Sequence, residues 1–265
     1  MELLPEMFAD GHEALVGEKS PTEPALESGI FLLDKPVGPS SFRMVQLVRR
    51  ALSIKKVGHA GTLDPFASGL LIICAGRPAT RLISQFMDGH KRYEAVLKLG
   101  LETTTQDLEG EVIAQKEVRA FAQEELEQSL AGFVGAQLQT PPQYSALKHL
   151  GKPLYHYARR GIIIEKAARP ITIFKLQLLE AGADTLRLMV DCSKGTYIRT
   201  LAADIGRTLG CGAHLVALRR LQSGPFSVAE AVDGGMLQEP SLARQALLAR
   251  VLTVAEVLAL LPRQE

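Results

Sequence analysis

Apolar and polar positions change their period along the chain. GIFLLDK, residues 29–35, is an almost unbroken apolar run followed by the turn sequence VGPSS, which predicts a buried strand. Within 42–52, Val45, Val48 and Leu52 recur at helical spacing and share one face. Leu186, Leu188 and Val190 alternate with polar residues, so 185–192 reads as a half-buried strand, and further strands are predicted at 93–99, 111–115 and 171–179. Helices are predicted over 123–133 and 197–209. Only Glu-Ala-Gly-Ala-Asp separates the strands 171–179 and 185–192, a connection that an antiparallel hairpin permits and a parallel crossover does not. The expected fold is therefore mixed α/β of the α+β kind: a largely antiparallel or mixed central sheet flanked by helices, not a doubly wound parallel one. After Phe226, a last segment with Leu247, Leu248, Val251, Leu252, Val254, Val257, Leu258 and Leu261 has helical, amphipathic spacing, and 229–265 is too short for a second domain.

Composition adds a polarity to this picture. The 265 residues are 46% apolar, enough for a substantial core and too much for a disordered or fibrous chain. The formal charge of +1 hides a division: residues 1–28 hold seven acids and one base, net −6, leaving 29 bases against 22 acids, net +7, over 29–265. The first 28 residues, with sparse apolar positions and several Pro and Gly, are expected to form an acidic disordered tail. A cationic body suits a polyanionic partner, though many proteins with such a surplus bind no nucleic acid. The N-terminus lacks the cationic and apolar regions of a signal peptide, and the longest apolar run, Leu70 to Ala75, is far below the roughly 20 residues that span a bilayer. A soluble cytoplasmic protein with no membrane partner is expected. Cys74, Cys192 and Cys211 are too widely spaced for a zinc site or a disulfide framework and read as reduced, buried thiols.

Phosphate-loop, dinucleotide, zinc-protease and serine-hydrolase signatures are absent, and the single SxxK match at Ser145 to Lys148 lacks its companion motifs. Three segments carry candidate chemistry. In VGHAGTLDPFASGLLIICAG, 57–76, Gly58, Gly61 and Gly69 surround His59 and Asp64, and Pro65 forces an extended backbone on Asp64. Asp-Pro ahead of Phe-Ala-Ser-Gly-Leu-Leu also reads as a helix start with Asp64 as N-cap, which would itself favour an ionised, nucleophilic carboxylate. In CSKGTYIRTLAADIG, 192–206, Tyr197 and Arg199 open a helix after a Gly195 turn, as an aromatic surface and a fixed guanidinium able to pair with a distant carboxylate, or as a core Tyr and an exposed Arg. HKRYEAVLKLG, 90–100, places Tyr93 at a strand start behind three cations. Between 137 and 169, Lys148, Lys152, Arg159, Arg160, Lys166 and Arg169 interleave with Tyr144, Tyr155 and Tyr157, which suits either a mobile element that closes on RNA or a solvated insertion.

In this order along 29–228, GIFLLDKPVGPSS, GHAGTLDPFASGLL, KRYEAVLKLG with TTTQDLEG, PPQYSALK with GKPLYHYARRG, CSKGTYIRTLAADIG and GAHLVALRRLQSGPF resemble the bacterial tRNA pseudouridine synthase family of the TruB type. The resemblance implies a pseudouridine synthase catalytic domain over 29–228 that converts uridine 55 in the T loop of tRNA to pseudouridine. Asp64 matches the nucleophilic aspartate of the family's G-x-L-D-P motif, and Arg199, of the Tyr-x-Arg pair, the arginine bound to it. Tyr93 matches the tyrosine that stacks on the flipped base, His59 the histidine that contacts the RNA, and Tyr197 and Leu218 the remaining walls of the base pocket. The isomerisation gains and loses neither electrons nor water, so no cofactor and no metal are expected; it needs an ionised carboxylate, a cation to orient it and a pocket that retains the detached uracil. The base must leave its stack to be reached. The expected partner is the T arm of tRNA, bound by a monomer with no obligate protein partner. Many family members continue into an RNA-binding PUA domain, which is expected to be missing here. A non-catalytic tRNA-binding module on the same surface, or a synthase for another RNA, are the competing readings.

Overall fold

A computed structural model describes residues 26–261; most of the predicted acidic tail, residues 1–25, lies outside the described residues. Ten strands form one mixed sheet. Its path runs Val232–Asp233, Gly29–Lys35, Ser68–Ala75, Ala213–Ser223, Lys91–Leu99, Thr185–Cys192, Arg169–Ala181, Gly135–Gln139, with Val57–Ala60 and Phe226–Ser227 paired at its sides. Two junctions are parallel, Gly29–Lys35 with Val232–Asp233 and Ser68–Ala75 with Ala213–Ser223, and the others are antiparallel. The predicted 171–179 and 185–192 hairpin is present in that sense.

The two apolar periods correspond to two kinds of burial. Ser68–Ala75 is covered on both faces: Leu71 and Ile73 pack with Phe31, Leu33 and the helix Ser41–Leu52, while Leu70, Ile72 and Cys74 pack with Ile30, Phe86 and Phe226. A strand buried on both sides has no polar face, hence the unbroken LLIICA. On the other half of the sheet one face carries Tyr93, Ala95, Leu97, Leu186, Leu188 and Val190 against the helices Gln123–Ala131 and Ile198–Thr208. The opposite face is exposed and charged, with Arg92–Asp191 at 2.7 Å and Arg187–Glu94 at 2.8 Å. Each fully buried Leu, Ile or Phe contributes about 1.5–3 kcal/mol to holding these layers.

Local signals place the helix ends. Ser40 caps Ser41–Leu52 by accepting from the Arg43 amide at 3.1 Å, and Ser53 closes it at φ 57°. The C-terminal segment, expected as one amphipathic stretch, is two helices, Pro240–Leu248 and Val254–Leu260. Between them Leu252 exchanges two backbone hydrogen bonds with Ile30, at 2.8 and 2.9 Å, and Thr253 with Glu256 forms a capping box that restarts the helix. Leu247 is buried with Phe31, Leu71 and Ile73 on one face of the sheet, and Val257 with Ile30, Leu70 and Phe226 on the other. The basic, aromatic segment begins and ends in the sheet, through Gly135–Gln139 against Arg169–Ala181; residues 140–168 leave it. Cys74, Cys192 and Cys211 are buried and unpaired, and burial pushes the Cys74 and Cys192 thiols up to about 12. Among the described residues no helix is long and apolar enough to cross a membrane.

Candidate active site

Asp64 sits on a turn and not, as the Asp-Pro spacing suggested, at a helix N-cap. The Ala67 amide donates to the Asp64 carbonyl at 3.1 Å, and the strand begins at Ser68. The helical reading fails because Ser68–Ala75 is drawn into the sheet between Gly29–Lys35 and Ala213–Ser223, and Gly69, at φ +98°, lies so close to Arg220 that a Cβ would stand 2.3 Å from its carbonyl oxygen. Three groups from the first strand and helix lock the turn. The Ser41 hydroxyl donates to the Leu63 carbonyl and accepts from the Leu63 amide, both at 2.8 Å. The Gly38 amide donates to Pro65 O at 2.8 Å. Lys35, fully buried, donates Nζ to Ala67 O at 2.7 Å, Pro36 O at 2.8 Å and Pro65 O at 3.4 Å. Burial lowers the Lys35 amine to about 8, the nearby Asp64 charge opposing the shift.

Facing this turn is the helix Ile198–Thr208. Its strand ends at Cys192, Gly195 turns at φ +81°, and Tyr197 occupies the N-cap. The buried Gln139 amide brackets Tyr197, accepting from its N–H at 2.8 Å and donating to its C=O at 3.1 Å. Two residues on, Arg199 is aimed into the cleft with its side chain 6% exposed; Nε lies 3.0 Å from Asp64 Oδ2 and Nη1 3.3 Å from Asp107 Oδ2. Nη1 also donates to Thr105 O at 2.9 Å and Nη2 to Tyr144 O at 2.7 Å. A guanidinium with this many fixed acceptors has one orientation, and the Asp64 carboxylate takes its position from it.

Asp107 and Lys35 are the functional side chains the sequence reading missed. Asp107 is 3% exposed; Oδ1 accepts from the Thr105 hydroxyl and from the Glu109 amide, the latter at 3.0 Å. Its neighbour Gln106 holds a left-handed backbone, φ 62°, which a non-glycine residue adopts at a cost of order 1 kcal/mol. Gln106 C=O accepts from the Leu215 amide at 3.0 Å, and its side-chain oxygen accepts from Thr200 at 3.0 Å, so the strained residue is held from two sides. The available signal was the acid within TTTQDLEG; a lysine ending an apolar strand gave none of comparable strength.

The remaining predicted residues lie on neighbouring strands. Tyr93 is buried on Lys91–Leu99, in one apolar cluster with Leu63, Phe66 and the half-buried Leu218. His59, on the short strand Val57–Ala60, is half-buried, with Nδ1 buried and unpartnered. Burial, then the Arg220 charge, lowers its pKa. Burial also raises the Tyr93 phenol, with Arg220 opposing. For Asp64, burial raises the pKa above 3.8, Arg199 lowers it, and Asp107 raises it again; the net shift is upward. The carboxylate side chain is nevertheless 36% exposed and open to a ligand. Among the described residues no group of three His, Cys, Asp or Glu side chains is placed to hold a metal ion.

The sheet, its covering helices and the Asp64–Arg199 pair make this a pseudouridine synthase fold. In a crystal structure of a Cbf5–Nop10–Gar1 complex, one chain superposes with a TM-score of 0.66 over 90% of this chain and 64% of that one, at 27% identity. Residues 49–198 match the N-terminal domain of the TruB family of pseudouridylate synthases, and 199–259 match the tRNA pseudouridylate synthase B C-terminal domain. A protein named tRNA pseudouridine synthase B from Desulfotalea psychrophila is 57% identical over 236 residues, 87% of this chain and 95% of that one. One of the same name from Aromatoleum aromaticum is 52% identical over 224 residues, 84% and 72% of the two. The chain belongs to the TruB family.

Proposed function

We propose that this chain isomerises uridine 55 in the T loop of tRNA to pseudouridine, with Asp64 as the nucleophile on a flipped-out nucleotide. The observation that carries this reading is the Asp64–Arg199 pair, 3.0 Å apart, on an acid that remains open to a ligand. Family membership and the shared name of the relatives support tRNA as the substrate.

Asp64 attacks the ribose C1′, displacing N1, or adds to the base C6, after which the N1–C1′ bond breaks. The uracil turns within the pocket, C5 bonds to C1′, the bond to Asp64 breaks to return the free carboxylate, and the proton lost from C5 is balanced by the one gained at N1. Atoms and electrons balance within the nucleotide, so no cofactor takes part. Arg199 keeps Asp64 aimed and favours its charged form against burial. Tyr93 stacks on the uracil, Tyr197 and Leu218 close the walls, and the site excludes water while the base is detached. His59, five residues before Asp64, fills the space the nucleotide vacates; a loop nucleotide costs less to extrude than a paired one. Basic and aromatic side chains of 137–169 hold the T-arm phosphates and bases. The catalytic domain spans 29–228, and the chain acts as a monomer in the cytoplasm.

Mapping pseudouridine by carbodiimide treatment or mass spectrometry in a tRNA transcript incubated with the purified protein tests this reading. Modification at position 55 that disappears with Asp64→Asn is the expected result; modification elsewhere, or an unchanged yield with Asp64→Asn, overturns it.

A further inference from the structure

Arg220 heads the fully buried side chains by volume, at 2% exposure, yet no carboxylate pairs with it among the described residues. Burying a guanidinium without a counter-charge is costly, and an aliphatic side chain of similar volume would fill the space at less expense. Its bonds show what the charge does. Nε donates to Leu70 O at 2.7 Å and Nη2 to Gly61 O at 2.9 Å. Gly61, at φ +74°, lies between His59 and Asp64, and a Cβ there would stand 3.1 Å from Arg220 Nη1. In the sheet Arg220 is the register partner of Tyr93 on one side and of Gly69 on the other. Directly opposed residues of antiparallel strands share a face with Cβ atoms about 4.5–5.5 Å apart, so the Arg220 side chain starts beside Tyr93 and its guanidinium ends in the turn that carries Asp64.

We propose that Arg220 is a positioning residue for the isomerisation, tying the Tyr93 wall to the Gly61 turn so that the ring stacked on the uracil and the carboxylate that attacks the nucleoside keep one fixed separation. The inference rests on the function proposed above. It follows from the chemistry: once the glycosidic bond is broken, only the walls hold the uracil, and a displacement of about 1 Å costs on the order of 100-fold in rate. Tyr93 and Gly61 lie in different elements, and Arg220 is opposite the first by strand register and hydrogen-bonded to the second.

Single-turnover rates on a tRNA transcript, with binding measured separately, test it for Arg220→Met, Arg220→Lys, Tyr93→Phe and the double variants. Arg220→Met is expected to slow modification about 100-fold while the tRNA dissociation constant changes less than about 3-fold. Arg220→Lys, which keeps the charge and one donor, recovers most of the rate. In the Tyr93→Phe background, Arg220→Met costs much less, because the link is already cut. An unchanged rate for Arg220→Met, or the same loss with and without the phenol, overturns the inference. If Arg220→Met does not fold, Arg220→Gln, which keeps a donor but lacks the charge and the reach, takes its place in the cycle with the same expected and overturning results. A wild-type protein that leaves the transcript unmodified refutes the proposed function instead, a result distinct from any of these.

Discussion

Two buried guanidiniums reach the segment that carries Asp64 and are solvated by the protein in different ways. Arg199 faces two carboxylates, Asp64 at 3.0 Å and Asp107 at 3.3 Å. Arg220 bonds backbone carbonyls of Leu70 and Gly61 and no acid. The paired arginine bears on ionisation: after burial, Arg199 has the largest influence on Asp64 and opposes the upward shift. The unpaired one controls shape, joining a strand to a turn through fixed oxygens. Charge placed beside the reacting acid and charge placed behind the walls therefore do different work, although both side chains are nearly inaccessible.

Removing the acid that separates the two arginines has the largest effect. Asp64→Asn keeps the volume and one acceptor, and is expected to lower single-turnover modification by roughly 10⁴-fold with tRNA binding nearly unchanged in a filter assay. Arg199→Met strips the buried Asp107 of its cation and frees Asp64; loss of about 3–5 kcal/mol of stability and a rate lower by about 10²-fold or more are expected from denaturant titration and single-turnover kinetics. The rate–pH profile separates the arginines further. Asp64 acts ionised and its pKa is raised, so the rate falls on acidification through a value above 3.8. Arg199→Lys, which loses the bound Nε donor, moves that limb to higher pH, whereas Arg220→Met leaves it in place.

Smaller effects are expected from groups behind both. Lys35→Met leaves the carbonyls of Pro36 and Ala67 without their donor and is expected to cost about 2–3 kcal/mol, lowering the melting temperature by about 5–10 °C in calorimetry. Folded Lys35 titrates at about 8 against 10.5 unfolded, so between those values the unfolded state holds more protons. Wild-type stability relative to Lys35→Met therefore rises with pH across that window. The mildest change is Arg159→Gln with Arg160→Gln, which reduces the slope of log affinity against log salt by about 0.7 for each phosphate that the two cations no longer neutralise.

Much of the fold was legible because its signals are local. The alternation of 185–192, the apolar run of 29–35 and the helical spacing within 42–52 depend on residues a few positions apart, and each element formed near its expected bounds. The six ordered segments likewise singled out Asp64 and Arg199, which pair at 3.0 Å, and Tyr93 and Leu218, which share one apolar cluster. The Asp-Pro helix start was misjudged because a local N-cap pattern competed with two long-range strand pairings, and the pairings prevailed.

Chemistry written into single motifs, such as a carboxylate on a glycine-rich turn or an arginine two residues past a helix cap, could be named from the chain alone, together with the mixed sheet its turns require. The partners of those groups came from elsewhere: Thr105 reaches Arg199 across 94 positions, and Gly61 reaches Arg220 across 159. The roles of Asp107, Lys35 and Arg220 exist only once packing has removed water and left each charge a specific set of oxygens. Burial and neighbour identity are properties of the assembled core, and no short-range pattern encodes them.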